Sequence, residues 1–172
     1  ASSTIFSAEG KDLAPYTWTK ANALNLVERY GNWYSLQYAV AYFYNVYGPR
    51  GPHGRLQTII DKFQEQYLKG EPLTVVLPGT QRRIFTYVKD IVAGLVLVGE
   101  KGEGNGYQLA ADESYTILEV AKMFNHPIVM LSERQGNRMD SGAADVASSR
   151  AIGWRTRYNL QNYIREICSN KK

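Results

Sequence analysis

Apolar positions along this chain change period repeatedly, from runs and two-residue alternation to a 3.6-residue spacing, which predicts short strands alternating with helices. Ala1 to Phe6 reads as the end of a strand entering a loop. Tyr16 to about Arg29 reads as a helix, with Ala23, Leu24 and Val27 apolar and Gly31 as its C-terminal stop. Leu36 to Phe43 is a continuous apolar and aromatic run, as expected of a strand buried on both faces. The glycine and proline cluster from Gly48 to Gly54 predicts a loop. Leu56, Ile59, Ile60, Phe63 and Tyr67 then recur at helical spacing, and Gly70 closes that helix.

Leu73 to Leu77 and Ile84 to Val88 read as short strands on either side of a Pro78-Gly79 turn. Asp90 opens an apolar helix through Val98, and Tyr107 to Ala110 forms another strand. Thr116-Ile117-Leu118-Glu119 has the capping-box pattern ahead of Val120 and Phe124. Ile128 to Leu131 is a late strand and Leu160 to Ile167 a closing helix. Strands alternating with helices predict an α/β fold with a largely parallel sheet. No internal repeat and no linker divides the chain, so residues 1–172 read as a single unit.

At 172 residues and 44% hydrophobic, the chain is long enough for one domain with a real core. No apolar run is long enough to span a bilayer and no charged-then-apolar leader is present, so a cytoplasmic protein without membrane contact is expected. The single cysteine, Cys168, precludes an internal disulfide and reads as a half-buried residue of the last helix. The net charge of +4 comes from scattered arginines, including Arg50, Arg82, Arg83, Arg134 and Arg150. Isolated guanidinium groups in loops suit a small phosphorylated ligand better than a nucleic acid. His53 lies in the glycine/proline loop and His126 precedes Pro127 in a turn; with one cysteine they imply no metal site.

The chemistry gathers in Pro15-Tyr16-Thr17-Trp18-Thr19-Lys20, with Ser2-Ser3-Thr4 upstream. Tyr16 and Lys20 lie one turn apart on one helical face, and Pro15 suits the first turn. An ammonium near a phenol favours the phenolate, which makes the tyrosine a proton acceptor closer to neutral pH. No Gly-x-Gly-x-x-Gly turn joins a strand to a helix, and Gly102-Glu103-Gly104-Asn105-Gly106 reads as a surface turn.

Several segments, in this order, resemble the extended short-chain dehydrogenase/reductase family, in particular its NAD-dependent sugar-nucleotide epimerases of the UDP-glucose 4-epimerase type. They are Ser2-Ser3-Thr4, Tyr16-x-x-x-Lys20, and Tyr42-Phe43-Tyr44-Asn45-Val46-Tyr47-Gly48-Pro49-Arg50. Downstream, Gly79 to Asp90 resembles the family's Arg-Asp-Phe-x-x-Val-x-Asp segment, and Glu133-Arg134-Gln135-Gly136-Asn137 its Arg-x-Gly-Asp loop. Asp145 and Gly153-Trp154 resemble the closing part of the substrate domain.

The resemblance implies that Tyr16 is the acid/base acting on a sugar hydroxyl, that Lys20 lowers its pKa and holds the nicotinamide ribose, and that Ser3 hydrogen-bonds the same hydroxyl. It implies that Tyr42 and Phe43 border the nicotinamide, although plain core packing is the other reading of two residues in a buried strand. Asn45, Arg83, Arg134 and Asn137 would contact the nucleotide diphosphate, and Asn137 stands where the family usually has aspartate. Family dehydratases carry an Asp-Glu pair after the catalytic Ser or Thr; Thr4-Ile5 stands here, and Ile5 moves no proton. Ile84 and Lys89 also replace acidic residues, and the stretch from Ser3 to Tyr16 is shorter than the family's.

Family chains open with a Rossmann half that supplies the glycine turn. Part of a Rossmann-like sheet plus a small C-terminal substrate-binding subdomain is therefore expected, with the dinucleotide-binding half absent. Residues 1–50 would be the Rossmann remnant and 51–172 mostly the nucleotide-sugar region. The function implied is the C-terminal part of an NAD-dependent nucleotide-sugar 4-epimerase, with weak or no NAD binding and no turnover alone. The alternatives are a shortened nucleotide-sugar-binding or assembly module, and a related NAD-dependent reductase or decarboxylase. The expected partners are a UDP-sugar and either a second copy or a missing N-terminal segment, because an open apolar strand edge invites pairing.

Overall fold

The computed structural model describes residues 1–6, 15–52, 54, 57–133 and 143–170. Strand β1 (Ala39–Phe43) runs parallel to β5 (Gly104–Leu109), with Tyr42 opposite Gln108 and Phe43 opposite Leu109. Strand β2 (Asn45–Tyr47) runs parallel to β4 (Arg82–Tyr87), whose other edge pairs antiparallel with β6 (Ser114–Thr116). Strand β3 (Leu73–Val76) pairs in parallel with β7 (Ile128–Leu131). Helices α1 (Pro15–Tyr34), α2 (Ile59–Lys69), α3 (Val88–Lys101), α4 (Ile117–Met123), α5 (Ala147–Ala151) and α6 (Leu160–Ser169) are interleaved with them. The fold is α/β with parallel strand pairs, and among the described residues no helix is long and apolar enough to cross a membrane.

One core lies between β2, β3 and β4 and helices α2, α4 and α6, around Phe63, Leu73, Val75, Val120 and Ile164. The other joins β1 and β5 to α3, around Leu109, Ile91, Val98 and Trp154. Asp90, buried in the first turn of α3, ties the C-terminal loop to this second core. Its carboxylate accepts from the N–H groups of Arg157 at 3.1 Å and Tyr158 at 3.2 Å, and its carbonyl accepts from Trp154 Nε1 at 2.8 Å.

Several element ends differ from the periodic expectation, each for a local reason. Helix α1 runs through Gly31, because Ser35 takes the left-handed conformation (φ 51°) and the Leu36 N–H closes the cap on the Gly31 carbonyl at 3.1 Å. Gly31 serves close packing instead of termination: a Cβ there would lie 2.5 Å from Cε1 of Tyr38. That cap uses up Ser35 and Leu36, so the strand begins at Ala39 and not at Leu36. Tyr87 forms the N-cap of α3, so Val88 is helical. The glycine-rich segment begins β5: Gly104 pairs with Ala39, and its N–H donates to Tyr38 at 2.8 Å. The register then shifts by a bulge before Tyr107.

Candidate functional site

Ser3 is positioned by the open edge of β1. The Phe43 N–H donates to the Ala1 carbonyl at 3.1 Å, the Ala1 nitrogen donates to the Ala41 carbonyl at 2.6 Å, and Ser2 forms a parallel bridge with Phe43. The chain then coils into a 3-10 turn, Ser3–Phe6, which packs against α1. Ser3, buried, thus emerges at the carboxyl end of β1, where ligands of open α/β sheets are held. On α1, Tyr16 and Lys20 are both exposed, with the Lys20 ammonium 5.4 Å from the centre of the Tyr16 ring. Thr17, between them, points inward and is buried. The 3-10 turn that carries Ser3 packs against the helix that carries the Tyr16 phenol and the Lys20 ammonium, three groups of the kind that hydrogen-bond a hydroxylated ligand.

Consecutive strand residues face opposite sides, and Tyr42 and Phe43 do so here. Tyr42 is buried against Phe6, with ring centres 4.7 Å apart. Its hydroxyl donates to Asn105 Oδ1 at 2.5 Å, and Asn105 Nδ2 donates to Glu28 Oε1 at 2.7 Å. Burial raises the Tyr42 pKa against the lowering effect of Asn105, so this phenol stays protonated and ties β1 to β5 and α1. Phe43 packs on the α3 side and lines a cavity of about 1070 Å³ that Lys20, Leu24 and Val27 also line. Tyr44 next door donates to Gln108 Oε1 at 2.5 Å, and burial, then the charge of Asp145, push its pKa up to about 12.

Asn45 and Arg83 meet at a second cavity, of about 410 Å³, formed where β2 lies against β4. Asn45 Nδ2 donates to the Ile84 carbonyl at 3.0 Å, and Arg83 Nη1 to the Arg82 carbonyl at 2.7 Å. The walls are Val46, Val76, Phe85 and Ile117, with Lys62, Thr74 and Gln81 supplying polar groups. Arg82 faces elsewhere: its Nη2 donates to the Ser114 carbonyl at 2.8 Å and its Nη1 lies 3.8 Å from Glu119. Arg134 and Asn137 lie outside the described residues.

Residues 2–110 match the family described as "NAD dependent epimerase/dehydratase family". The chain belongs to that family. UDP-glucuronic acid decarboxylase 3 of Arabidopsis thaliana is 28% identical over 154 residues, covering 85% of this chain and 44% of the relative. A putative UDP-glucose 4-epimerase of Methanocaldococcus jannaschii is 26% identical over 164 residues, covering 90% of this chain and 52% of the relative. Among solved structures, UDP-glucose 4-epimerase from Thermotoga maritima with UDP-glucose has the same fold. Its TM-score is 0.85 at 23% identity, over 92% of this chain and 53% of that one. The chain spans about half the length of the curated relatives it matches.

For an NAD-dependent epimerase/dehydratase, the donor set at α1 suits one end of the dinucleotide. The hydroxyl groups of Tyr16 and Ser3 and the ammonium of Lys20 are donors of the kind that the free hydroxyls of a ribose accept. A Gly-x-Gly-x-x-Gly turn, which would take the pyrophosphate at a helix N-terminus, is not present in the 172-residue sequence. The family motif segment pointed to Arg83 but left Lys62, Thr74 and Gln81 without a role. Gln81 had a signal: it stands just ahead of β4, two residues before Arg83, within the motif segment itself. Lys62 and Thr74 had none, because they reach the cavity from α2 and β3.

Proposed function

We propose that this chain is the C-terminal, substrate-binding portion of an NAD-dependent nucleotide-sugar epimerase of the 4-epimerase type. Tyr16 takes the proton of the sugar hydroxyl, Ser3 hydrogen-bonds that hydroxyl, and Lys20 holds the nicotinamide ribose. NAD, when bound, would supply a hydride acceptor and donor at the sugar carbon, with no net redox over the cycle. Tyr16 gives its proton back as the hydroxyl re-forms. Asn45 and Arg83 hold the diphosphate, and the cavity beyond them takes the nucleoside.

The observation that carries this proposal is the convergence at one strand end. Ser3 emerges beside Phe43, where β1 stops, and Asn45 opens the second cavity two residues later. Ile5, after Thr4, supports an epimerase over a dehydratase, because it moves no proton. A decarboxylase is the second reading, favoured by the relative named UDP-glucuronic acid decarboxylase 3. On its own this chain binds NAD weakly or not at all and turns nothing over. The test joins it to a dinucleotide-binding front half and analyses the products. UDP-glucose and UDP-galactose should interconvert without accumulation of NADH, and Tyr16→Phe should lower the rate by roughly 10²–10⁴. Release of CO₂ from UDP-glucuronic acid instead would establish the decarboxylase.

A further inference from the structure

Gln81 is 3% exposed and lines the 410 Å³ cavity beside Arg83. Its Nε2 reaches the Leu77 carbonyl only at 3.5 Å, and its Oε1, fully buried, has no hydrogen-bond donor among the described residues. Native structures leave few buried acceptors in that condition, and such a group calls for a partner from outside the fold, such as a water, an ion or a ligand. The last torsion of a glutamine is broad, so a small rotation brings the oxygen to a donor inside the cavity at little expense. The rest of the lining says what that donor belongs to. Arg83 and Lys62 attract an anion, whereas Val46, Val76 and Phe85 offer an apolar slot. A reacting sugar must lie toward Ser3 and Tyr16, so the slot past Arg83 is left for the nucleoside.

We infer that the side-chain carbonyl of Gln81 is a specificity contact that accepts a hydrogen bond from the nucleoside of the ligand whose phosphates Arg83 holds. This rests on the nucleotide-sugar reading of the cavity given above. The donor is either the base N3–H or the ribose 2′-OH. A site built to pair a buried acceptor rejects a ligand that lacks the donor.

The test titrates UDP, 2′-deoxy-UDP and N3-methyl-UDP into the wild-type chain and into Gln81→Met by calorimetry. Methionine keeps the unbranched shape without the amide, so the unliganded variant should melt at or above the wild-type temperature. UDP should bind Gln81→Met at least about ten-fold more weakly than wild type. One analogue should already bind wild type that weakly and lose nothing further in Gln81→Met. If it is N3-methyl-UDP the donor is the base, and if 2′-deoxy-UDP, the ribose.

Unchanged UDP affinity in Gln81→Met, with binding still lost in Arg83→Ala, would overturn this inference and leave the function reading standing. Equal weakening of all three ligands, or a lowered melting temperature without ligand, would make Gln81 structural and overturn it as well. Failure of UDP to bind the wild-type chain would overturn both.

Discussion

Asn45 donates from its side-chain amide to the main-chain carbonyl of Ile84, at 3.0 Å, directly beside Arg83. The bond crosses from β2 to β4 and fixes the amide at the mouth of the cavity that Arg83 also lines. Asn45→Ala should therefore lower stability by only about 0.5–1.5 kcal/mol, because the backbone pairing of β2 with β4 survives. Asn45→Asp should do worse for binding, since a carboxylate then faces both the Ile84 carbonyl and the ligand phosphates. Urea unfolding and calorimetry with UDP on both variants check the two effects.

Asp90 is the anchor of the C-terminal loop. Asp90→Ala leaves the N–H groups of Arg157 and Tyr158 without their acceptor and should destabilise the fold by about 2–4 kcal/mol. Asp90→Asn keeps one carbonyl oxygen and should lose roughly half as much. Urea midpoints at constant slope measure both.

The capping box of α4 carries a pH dependence. The backbone N–H of Thr116, at 2.7 Å, holds the Glu119 carboxyl below its ordinary range, helped by the Thr116 side chain. A depressed carboxylate stabilises the fold above its unfolded pKa of about 4.3 and loses that contribution as pH falls through the lower folded value. Glu119→Ala should thus be less stable than wild type at pH 7, and the gap should close below about pH 4. Thermal melts of both proteins across that range decide it.

Local signals were legible in the sequence. Gly70 closes α2 in the left-handed conformation, Thr116 and Glu119 cap α4 reciprocally, and Ile128–Leu131 forms a strand with the bounds its apolar run predicts. Each depends on residues close together in the chain. Pairing was not legible in that way: β1 finds its partner in β5, far along the chain, and nothing in either run names the other. Strand β6 and helix α5 are too short to set a period, so they passed unread.

At the site, Tyr16, Lys20 and Arg83 stood out through motifs whose spacing is itself local. The two faces of Tyr42 and Phe43 follow from strand alternation, whereas the Tyr42–Asn105–Glu28 chain of hydrogen bonds exists only once three elements meet. That the Gln81 oxygen meets no donor among the described residues is likewise a product of tertiary packing.

The central claim is that a nucleotide sugar is held where Arg83 and Asn45 line one cavity. Titration of UDP-glucose into the purified chain, wild type against Arg83→Ala, tests it most directly. Saturable binding to wild type is predicted, with a loss of at least about ten-fold in Arg83→Ala at unchanged melting temperature, as expected when a charged hydrogen bond to phosphate is removed. Equal binding to both proteins, or none to the wild type, would contradict the account.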